Sequence, residues 1–256
     1  MLTAALWRDE FSPADDHLAG RVILITGATG AVGQAVSRAA ARCGATVVLA
    51  ARNVAAAEAL YDDITGAGWP EPMIYPVDLA GATAADYEQM AQALGGELGA
   101  LDAVAHVAAD FSGLKPLAQL GEATWTGELT ANLSAAHWIN QSVLDLLRAS
   151  DQPRIVFSLD DAHRVTRAYW GAYGVAKSAL AALASMTASE FEGFGIKVNA
   201  VQPPPTRSDL RRRAYVAEDP SELHMPEHVV NAYLYLLGSH DRLISGEVIQ
   251  FEENRS

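Results

Sequence analysis

The stretch TGATGAVG, residues 26–33, decides the fold of this 256-residue chain. An apolar run, Arg21 to Thr26, precedes it, and an Ala-rich stretch of helical period, Ala31 to Cys43, follows it. A glycine-rich turn between a buried strand and a helix is typical of open α/β folds that bind dinucleotides. The alternative is a tight turn without a ligand. The strand and the helix on either side favour the binding turn.

The three glycines of this turn have separate predicted tasks. Gly27 permits the tight turn, Gly30 lets the backbone approach a pyrophosphate, and Gly33 lets the helix pack against the strand. The unpaired N–H groups at the start of the helix then face the phosphates. Thr29 and Val32 lie between the glycines and are predicted to contact the same ligand.

The rest of the chain alternates between apolar, β-branched runs and Ala-rich helical stretches. This alternation predicts βαβ units around a parallel sheet, in a Rossmann-type, doubly wound α/β fold with seven strands. We expect a single domain over residues 1–256, with an N-terminal extension at 1–18 and a substrate-loop region at 203–225. The predicted strands are Arg21–Thr26, Ala45–Ala50, Met73–Val77, Leu101–Val107, Arg154–Ser158, Lys197–Val201 and Glu247–Phe251. The predicted helices are Ala31–Cys43, Val54–Thr65, Ala84–Leu98, Glu122–Ala149, Gly171–Phe194 and Pro226–Leu237.

Composition narrows the possible partners. A formal net charge of −13 disfavours nucleic acid and anionic membranes. Charged residues interrupt the start of the chain, and no uncharged apolar run is long enough to span a bilayer. The single cysteine, Cys43, cannot form an internal disulfide, and no Cys/His spacing predicts a metal site. We therefore expect a cytoplasmic protein that acts on a small molecule, without a metal.

The residue after the second predicted strand bears on the choice of cofactor. Dinucleotide folds usually carry an acid there, which binds the adenosine ribose. This chain has Arg52 instead, and a guanidinium can pair with a 2′-phosphate, so NADP is favoured over NAD. The alternative is that Arg52 merely caps a loop. Asp78, after the third strand, is placed to accept a hydrogen bond from the adenine amino group.

Tyr173 and Lys177 are one helical turn apart, so their side chains share a face near the start of a helix. An ammonium close to a phenol stabilises the phenolate and lowers its pKa, which makes a usable general acid and base. The pair is an ordinary surface pair in most sequences. A nucleotide-binding turn earlier in the chain favours the catalytic interpretation here.

These features together resemble the short-chain dehydrogenase/reductase family over nearly the whole chain. The motifs that carry the resemblance are TGATGAVG, Asp78-Leu79, Asn132, Tyr173 to Lys177, and KVNAVQPPPT at residues 197–206. Residues 170–177 and a tail with Thr206, Arg207, 218–220 and 234–238 most resemble the bacterial YciK-like oxidoreductase branch.

The resemblance implies an NADP(H)-dependent oxidoreductase that moves a hydride between the nicotinamide and a carbonyl or secondary alcohol carbon. Tyr173 would exchange a proton with the substrate oxygen, and Lys177 would also hold the nicotinamide ribose. Asn132 would kink its helix and support a water that links Lys177 to solvent. Thr206 would meet the carboxamide, and Leu79 would line the cofactor site. A homodimer or homotetramer through the two long helices is also implied.

One departure from the family pattern concerns the catalytic serine. Its place, thirteen residues before Tyr173, is taken by Asp160. A carboxylate cannot donate a hydrogen bond, and it would repel a developing oxyanion and raise the pKa of Tyr173. Ser158 lies two residues earlier and is a candidate replacement after a small shift of the strand end. The second hypothesis is therefore a catalytically impaired dinucleotide-binding pseudoenzyme that acts as a sensor or a scaffold subunit.

Other departures concern the loops near the cofactor. His106-Val107-Ala108-Ala109 replaces the usual Asn-Asn-Ala-Gly, so His106 is a candidate cofactor contact, although a structural histidine is the alternative. Pro203-Pro204-Pro205 replaces Pro-Gly and stiffens the loop beside the nicotinamide. The basic segment Arg207–Arg213 either docks an anionic substrate or forms ion pairs with Asp209, Glu218 and Asp219.

Overall fold

A computed structural model describes residues 1–7, 11–238 and 245–252, and the other positions of the predicted domain lie outside the described residues. The strands are β1 (Thr3–Trp7), β2 (Val22–Thr26), β3 (Thr46–Ala51), β4 (Met73–Pro76), β5 (Ala103–His106), β6 (Arg154–Ser158), β7 (Lys197–Gln202) and β8 (Glu247–Phe251). The helices are α1 (Ala31–Arg42), α2 (Val54–Gly66), α3 (Ala84–Leu98), α4 (Glu122–Leu129), α5 (Ala135–Ser142), α6 (Leu144–Arg148), α7 (Ala162–Val165), α8 (Gly171–Phe191), α9 (Asp209–Ala214) and α10 (Val230–Leu237).

The strands form one parallel sheet in the order β1-β8-β7-β6-β5-β2-β3-β4. From β2 the chain first builds outward through β3 and β4, and then returns to place β5 on the other side of β2. Ligands of open α/β sheets bind at such a reversal, beyond the carboxyl ends of the strands. The topology therefore places a candidate site where the segments after β2 and β5 separate.

Helices cover both faces of the sheet because successive strand side chains point to opposite sides. Ile23 and Ile25 of β2 pack into a core with α1, α2 and α10, whereas Leu24 packs into a second core with α3, α5 and α8. This arrangement confirms the predicted α/β fold. Among the described residues, no helix is long and apolar enough to cross a membrane.

The prediction of seven strands was one too few. Strand β1 lies inside the predicted N-terminal extension and pairs in parallel with β8, from Thr3 opposite Glu247 to Trp7 opposite Phe251. It is short and partly exposed at the sheet edge, so it lacks the continuous apolar run by which the other strands were recognised.

Two helix predictions also need correction. The predicted helix Glu122–Ala149 is interrupted by a π-helical turn at Thr130–Ser134 and again at Val143, so it forms α4, α5 and α6. Pro226 begins a 3₁₀ turn, Pro226–Val229, and the α-helix starts only at Val230. A π-helical or 3₁₀ turn changes the backbone hydrogen bonds of a helix. The spacing of apolar residues along the sequence does not reveal such a change.

Candidate functional site

The glycine turn after β2 is held very close to the end of β5. Gly27 has a left-handed φ of 66°, and a Cβ on it would lie 2.6 Å from the Cα of Ala108. A Cβ on Gly33 would lie 2.1 Å from the carbonyl oxygen of Gly27. The N–H of Gly30 donates to that carbonyl at 2.9 Å, and α1 begins at the next residue. These close contacts leave no room for a Cβ at Gly27 or Gly33. The same lack of side chains lets a pyrophosphate approach the backbone beside the helix N-terminus.

A cleft of about 1050 Å³ opens above this turn, at the upper end of the range for ligand pockets. It runs from the glycine turn and the end of β3 to the start of α8 and the segment after β7. Most of the residues proposed from the sequence line it: Gly27, Thr29, Gly30, Val32, Gly33, Arg52, Asp78, Leu79, Ser158, Asp160, Tyr173, Lys177 and Thr206. The dimensions and the glycine cradle fit a dinucleotide.

Arg52 follows β3 at the mouth of the cleft, and its side chain is 67% exposed. Its Nη1 lies 3.8 Å from the Oδ1 of Asp78 and 4.0 Å from the Oδ1 of Asp110. Ion pairs this long and this exposed hold a side chain only weakly. The guanidinium is therefore available to an anionic ligand at this end of the cleft.

Tyr173 lies deeper in the cleft, with its hydroxyl bonded to a carboxylate. The Oη donates to the Oδ2 of Asp160 at 2.7 Å. The other carboxylate oxygen accepts from the N–H of Asp161 at 2.7 Å and forms an ion pair with the Nη2 of Arg164. In the described residues, all three partners of the Asp160 carboxylate donate to it, so it acts as an acceptor on both oxygens.

This environment acts on the tyrosine proton. Burial of the phenol is the largest cause that raises the pKa of Tyr173 well above its usual range, and the charge of Asp160 raises it further. Arg164 opposes that shift. The sequence expectation that Asp160 works against an easily ionised Tyr173 agrees with this geometry.

Lys177 is buried one turn along α8 from Tyr173. Its Nζ donates to the carbonyl oxygen of Ser158 at 3.1 Å and to that of Ala108 at 3.3 Å, so it joins the ends of β6 and β5. Burial lowers its pKa to about 8, and the charge of Asp160 partly offsets this shift. The ammonium lies 6.0 Å from the Tyr173 ring centroid.

Ser158 does not take the place of the missing serine. Its hydroxyl lies 2.8 Å from the hydroxyl of Tyr233 on α10, and both groups are buried. Tyr233 belongs to the core on the opposite side of the sheet from α8. The predicted rescue therefore fails, because the Ser158 side chain points away from Tyr173 and only its backbone carbonyl contributes to the site.

His106 lies behind the cleft, and the prediction that it contacts the cofactor is corrected. Its Nε2 lies 2.8 Å from the Oδ1 of Asn140, and its ring stacks on Phe157 with centroids 4.9 Å apart. Burial lowers the pKa of His106 to about 4. The residue is thus a neutral structural histidine.

Asn132 lies in the π-helical turn and uses both ends of its amide. Its Nδ2 donates to the carbonyl oxygens of Asp110 and Glu128, at 2.7 and 2.8 Å, and its Oδ1 accepts from the N–H of Asp110 at 3.0 Å. It does not line the main cleft. Asn132 therefore fixes the segment after β5, which forms one wall of the site.

Glu128 is a buried carboxylate that sequence reasoning missed. Its Oε1 accepts from the N–H of Ser112 at 2.6 Å, and its Oε2 accepts from the N–H of Tyr173 at 3.0 Å. It caps the first turn of α8 and ties that turn to the wall after β5. Its place four residues before Asn132, on the same face of the chain, was the available signal.

Arg164 was also missed, although the Asp160–Arg164 spacing of four residues is a recognised ion-pair signal. The wall around Tyr173 is otherwise aromatic. Trp170 stacks on Phe111 at 5.3 Å and packs against Tyr173 at 5.7 Å. These rings therefore pack around the ring of Tyr173 and bury it, while the residue still lines the cleft.

The loop region 203–225 covers the outer part of the cleft. Thr206 donates to the carbonyl oxygen of Pro204 at 2.7 Å, and α9 buries Ala214 against the aromatic wall. Arg211 pairs with Glu218 and lies 3.8 Å above the Tyr215 ring, and Arg212 pairs with Asp209 at 3.1 Å. The geometry favours the ion-pair interpretation of this basic segment over anion docking. Asp219 instead accepts from Ser221.

Comparison with known proteins gives a consistent result. The short chain dehydrogenase family model matches residues 21–219. The uncharacterized oxidoreductase YciK of Escherichia coli (strain K12) is 30% identical, over 96% of this chain and 97% of YciK. A putative short chain dehydrogenase from Pseudomonas syringae superposes with a TM-score of 0.88 at 36% identity, over 94% of this chain and 98% of that one. Another, from Shigella flexneri 2a and complexed with NADP, has a TM-score of 0.87 at 30% identity, over 92% and 98%.

Proposed function

The chain belongs to the short-chain dehydrogenase family, and on that premise we propose that it is an NADP(H)-dependent oxidoreductase acting on a small molecule. The observation that carries the proposal is the cleft that joins the glycine turn to Tyr173 and Lys177. One end of this cleft has the geometry of a dinucleotide site, and the other end holds a buried proton donor beside a buried ammonium.

The cofactor preference follows from charge at the mouth of the cleft. Arg52 is placed to pair with a 2′-phosphate in exchange for its weak contacts with Asp78 and Asp110. The NADP complex of the Shigella flexneri relative supports the same choice. NAD is the less favoured alternative.

The chemical roles fall on two residues of α8. A nicotinamide held in this cleft would supply or accept a hydride at the reacting carbon. Tyr173 gives a proton to the reacting heteroatom, or removes one, and Lys177 holds positive charge near the phenol and would hold the ribose of the cofactor. Phe111 and Trp170 pack against the ring of Tyr173 and hold it in place. Asn132 and Glu128 act as positioning residues, because they hold the two walls on either side.

The first experiment measures cofactor binding by nicotinamide fluorescence. We expect NADPH to bind more tightly than NADH, and Arg52→Ala to reduce that preference by about 10- to 100-fold, since a charge-assisted pair is lost. Arg38→Ala is the matched control, because Arg38 pairs with Asp63 outside the cleft. Equal affinities of the parent protein for the two cofactors contradict the assignment.

A non-catalytic dinucleotide-binding protein is the competing function, and it shares the whole cofactor site. The non-catalytic protein would differ from the oxidoreductase only in the absence of turnover. NADPH consumption with a panel of carbonyl compounds and imines separates the two functions, since binding without any turnover favours the non-catalytic protein.

We also propose a cytoplasmic homodimer or homotetramer assembled through α4 and α8. These helices pack side by side and leave Trp125, Val175 and Met186 exposed. Exposed apolar side chains on adjacent helices are typical of subunit interfaces. Sedimentation equilibrium measures the mass, and a monomer at micromolar concentration contradicts this part of the proposal.

A further inference from the structure

The carboxylate of Asp160 decides which reacting group the site accepts. Its side chain is 11% exposed, lines the cleft and lies beside the hydroxyl of Tyr173. A carbonyl oxygen only accepts hydrogen bonds, so its reduction needs donors around the oxygen. Here the group next to Tyr173 is itself an acceptor.

No hydroxyl compensates for this in the described residues from β6 to the start of α7, the segment that carries Asp160. The Ser158 hydroxyl is bonded to Tyr233, and the Asp161 carboxylate caps α7 by accepting from the N–H of His163 at 2.9 Å. The Arg164 guanidinium forms an ion pair with the carboxylate of Asp160. A carbonyl oxygen at Tyr173 would therefore meet one donor and one negative charge.

A carbon–nitrogen group matches the same pair of side chains. An imine nitrogen accepts the proton of Tyr173, and the iminium N–H that results is a cationic donor. Within the described part of the chain, the Oδ2 of Asp160 has one hydrogen-bond partner, Tyr173, and a carboxylate oxygen can accept more than one hydrogen bond. It can therefore bind that N–H and offset its positive charge.

We propose that Asp160, held by Arg164, adapts this site to the reduction of imines or the oxidation of amines. The reacting carbon of the substrate is then bonded to nitrogen. The inference rests on the proposed function, because it uses the same cofactor and the same tyrosine. In the reducing direction the C=N carbon gains a hydride from NADPH, and the nitrogen gains one proton through Tyr173. The products are an amine and NADP⁺, and a proton from solvent restores the tyrosine.

Binding of matched ligands tests the proposal without relying on turnover. The NADP⁺-saturated protein is titrated calorimetrically with cyclohexylamine against cyclohexanol, and with 1-aminoindane against 1-indanol. We expect each amine to bind about tenfold more tightly than its alcohol, since the ammonium brings a positive charge to the carboxylate of Asp160, whereas the hydroxyl of the alcohol offers only a neutral donor. Equal or tighter binding of the alcohols, or no binding of any amine, overturns the proposal.

Two variants assign the preference to Asp160. Asp160→Asn keeps the shape of the side chain and should abolish the preference for amines, and Asp160→Ser should favour the alcohols. Asp161→Asn is the control, because it removes the same charge from the neighbouring residue and preserves a good helix cap. A preference for amines that survives in Asp160→Asn overturns the proposal, as does one that disappears in Asp161→Asn.

A turnover comparison provides a second readout, with 3,4-dihydroisoquinoline as the imine and 1-tetralone as the ketone. The parent protein should prefer the imine, and Asp160→Ser should shift the preference toward the ketone. NADPH binding to each variant establishes that the cleft is folded. Failure of the parent protein to bind NADPH contradicts the proposed function itself, whereas intact NADPH binding with a preference for alcohols and ketones contradicts only this inference.

Discussion

Lys177 is an ammonium held in a buried position by two carbonyl oxygens, and its charge depends on pH within the working range of most enzymes. Burial lowers its pKa to about 8, from 10.5 for an exposed lysine. Between these values the unfolded chain binds a proton at Lys177 that the folded chain has lost. The contribution of this residue to stability therefore rises with pH over that range, while its charge near Tyr173 disappears.

We predict that turnover falls as pH increases through about 8, because Lys177 then no longer stabilises the phenolate. The chain has three lysines, so ¹³C-lysine NMR can follow each Cε signal directly. The signal that is lost in Lys177→Arg should titrate near pH 8. Titration of that signal near 10.5 contradicts the prediction.

Tyr173 carries the proton transfer in the proposed reaction. Tyr173→Phe should reduce turnover by about 10²- to 10⁴-fold and leave NADPH affinity nearly unchanged, because the ring stays in its aromatic wall while the hydroxyl is lost. Tyr169→Phe is the control, since Tyr169 is 55% exposed and does not line the cleft. Steady-state rates on any accepted substrate provide the measurement. Substantial activity in Tyr173→Phe would place proton transfer on another group.

At the scale of elements, Glu128 connects α4, the wall after β5 and the first turn of α8. Glu128→Ala leaves the N–H groups of Ser112 and Tyr173 without their acceptor. The N–H of Tyr173 is buried and costs about 1–3 kcal/mol when it is left without an acceptor, whereas water can reach the N–H of the exposed Ser112, so we predict a loss of about 1–3 kcal/mol in the free energy of unfolding. Urea denaturation measures this loss. Glu88→Ala, on the exposed side of α3, is the control, and equal losses in the two variants would contradict the bridging role.

At the scale of the whole molecule, β1 extends the sheet beyond β8 and brings Trp7 into a cluster of rings. Trp7 packs edge-on against Tyr235 at 5.9 Å and against Phe11 at 6.3 Å. Removal of residues 1–10 would expose the edge of β8 and remove this packing. The cleft opens where β5 and β2 lie side by side, near the middle of the strand order, and it does not include β1.

We predict that deletion of residues 1–10 lowers the free energy of unfolding by about 1–3 kcal/mol, because the half-buried ring of Trp7 leaves its packing. It should also promote self-association, because an unpaired strand edge is a template for further pairing. Urea denaturation and light scattering measure the two effects. Trp7→Ala separates them, since it removes the ring while keeping the strand, and should lower stability without promoting association.

The features that the sequence determined by itself are local ones. The glycine turn, the alternation of strands with helices, and the Tyr173–Lys177 spacing each involve residues a few positions apart, so backbone geometry alone brings them together. The parallel sheet and most of the residues that line the cleft could be predicted for this reason. The place of Asp160 in the catalytic region also followed from spacing.

The tertiary structure alone decided which distant groups meet. Ser158 turns to Tyr233 across 75 residues, and Glu128 reaches Tyr173 across 45, so neither contact is visible in a local pattern. Strand β1 pairs with β8, near the other end of the chain, because the unpaired edge of β8 offers hydrogen-bond partners to the backbone of β1. Side-chain direction at the end of a buried strand depends on the packing of both faces, and this packing leaves the carboxylate of Asp160 as the group beside the tyrosine.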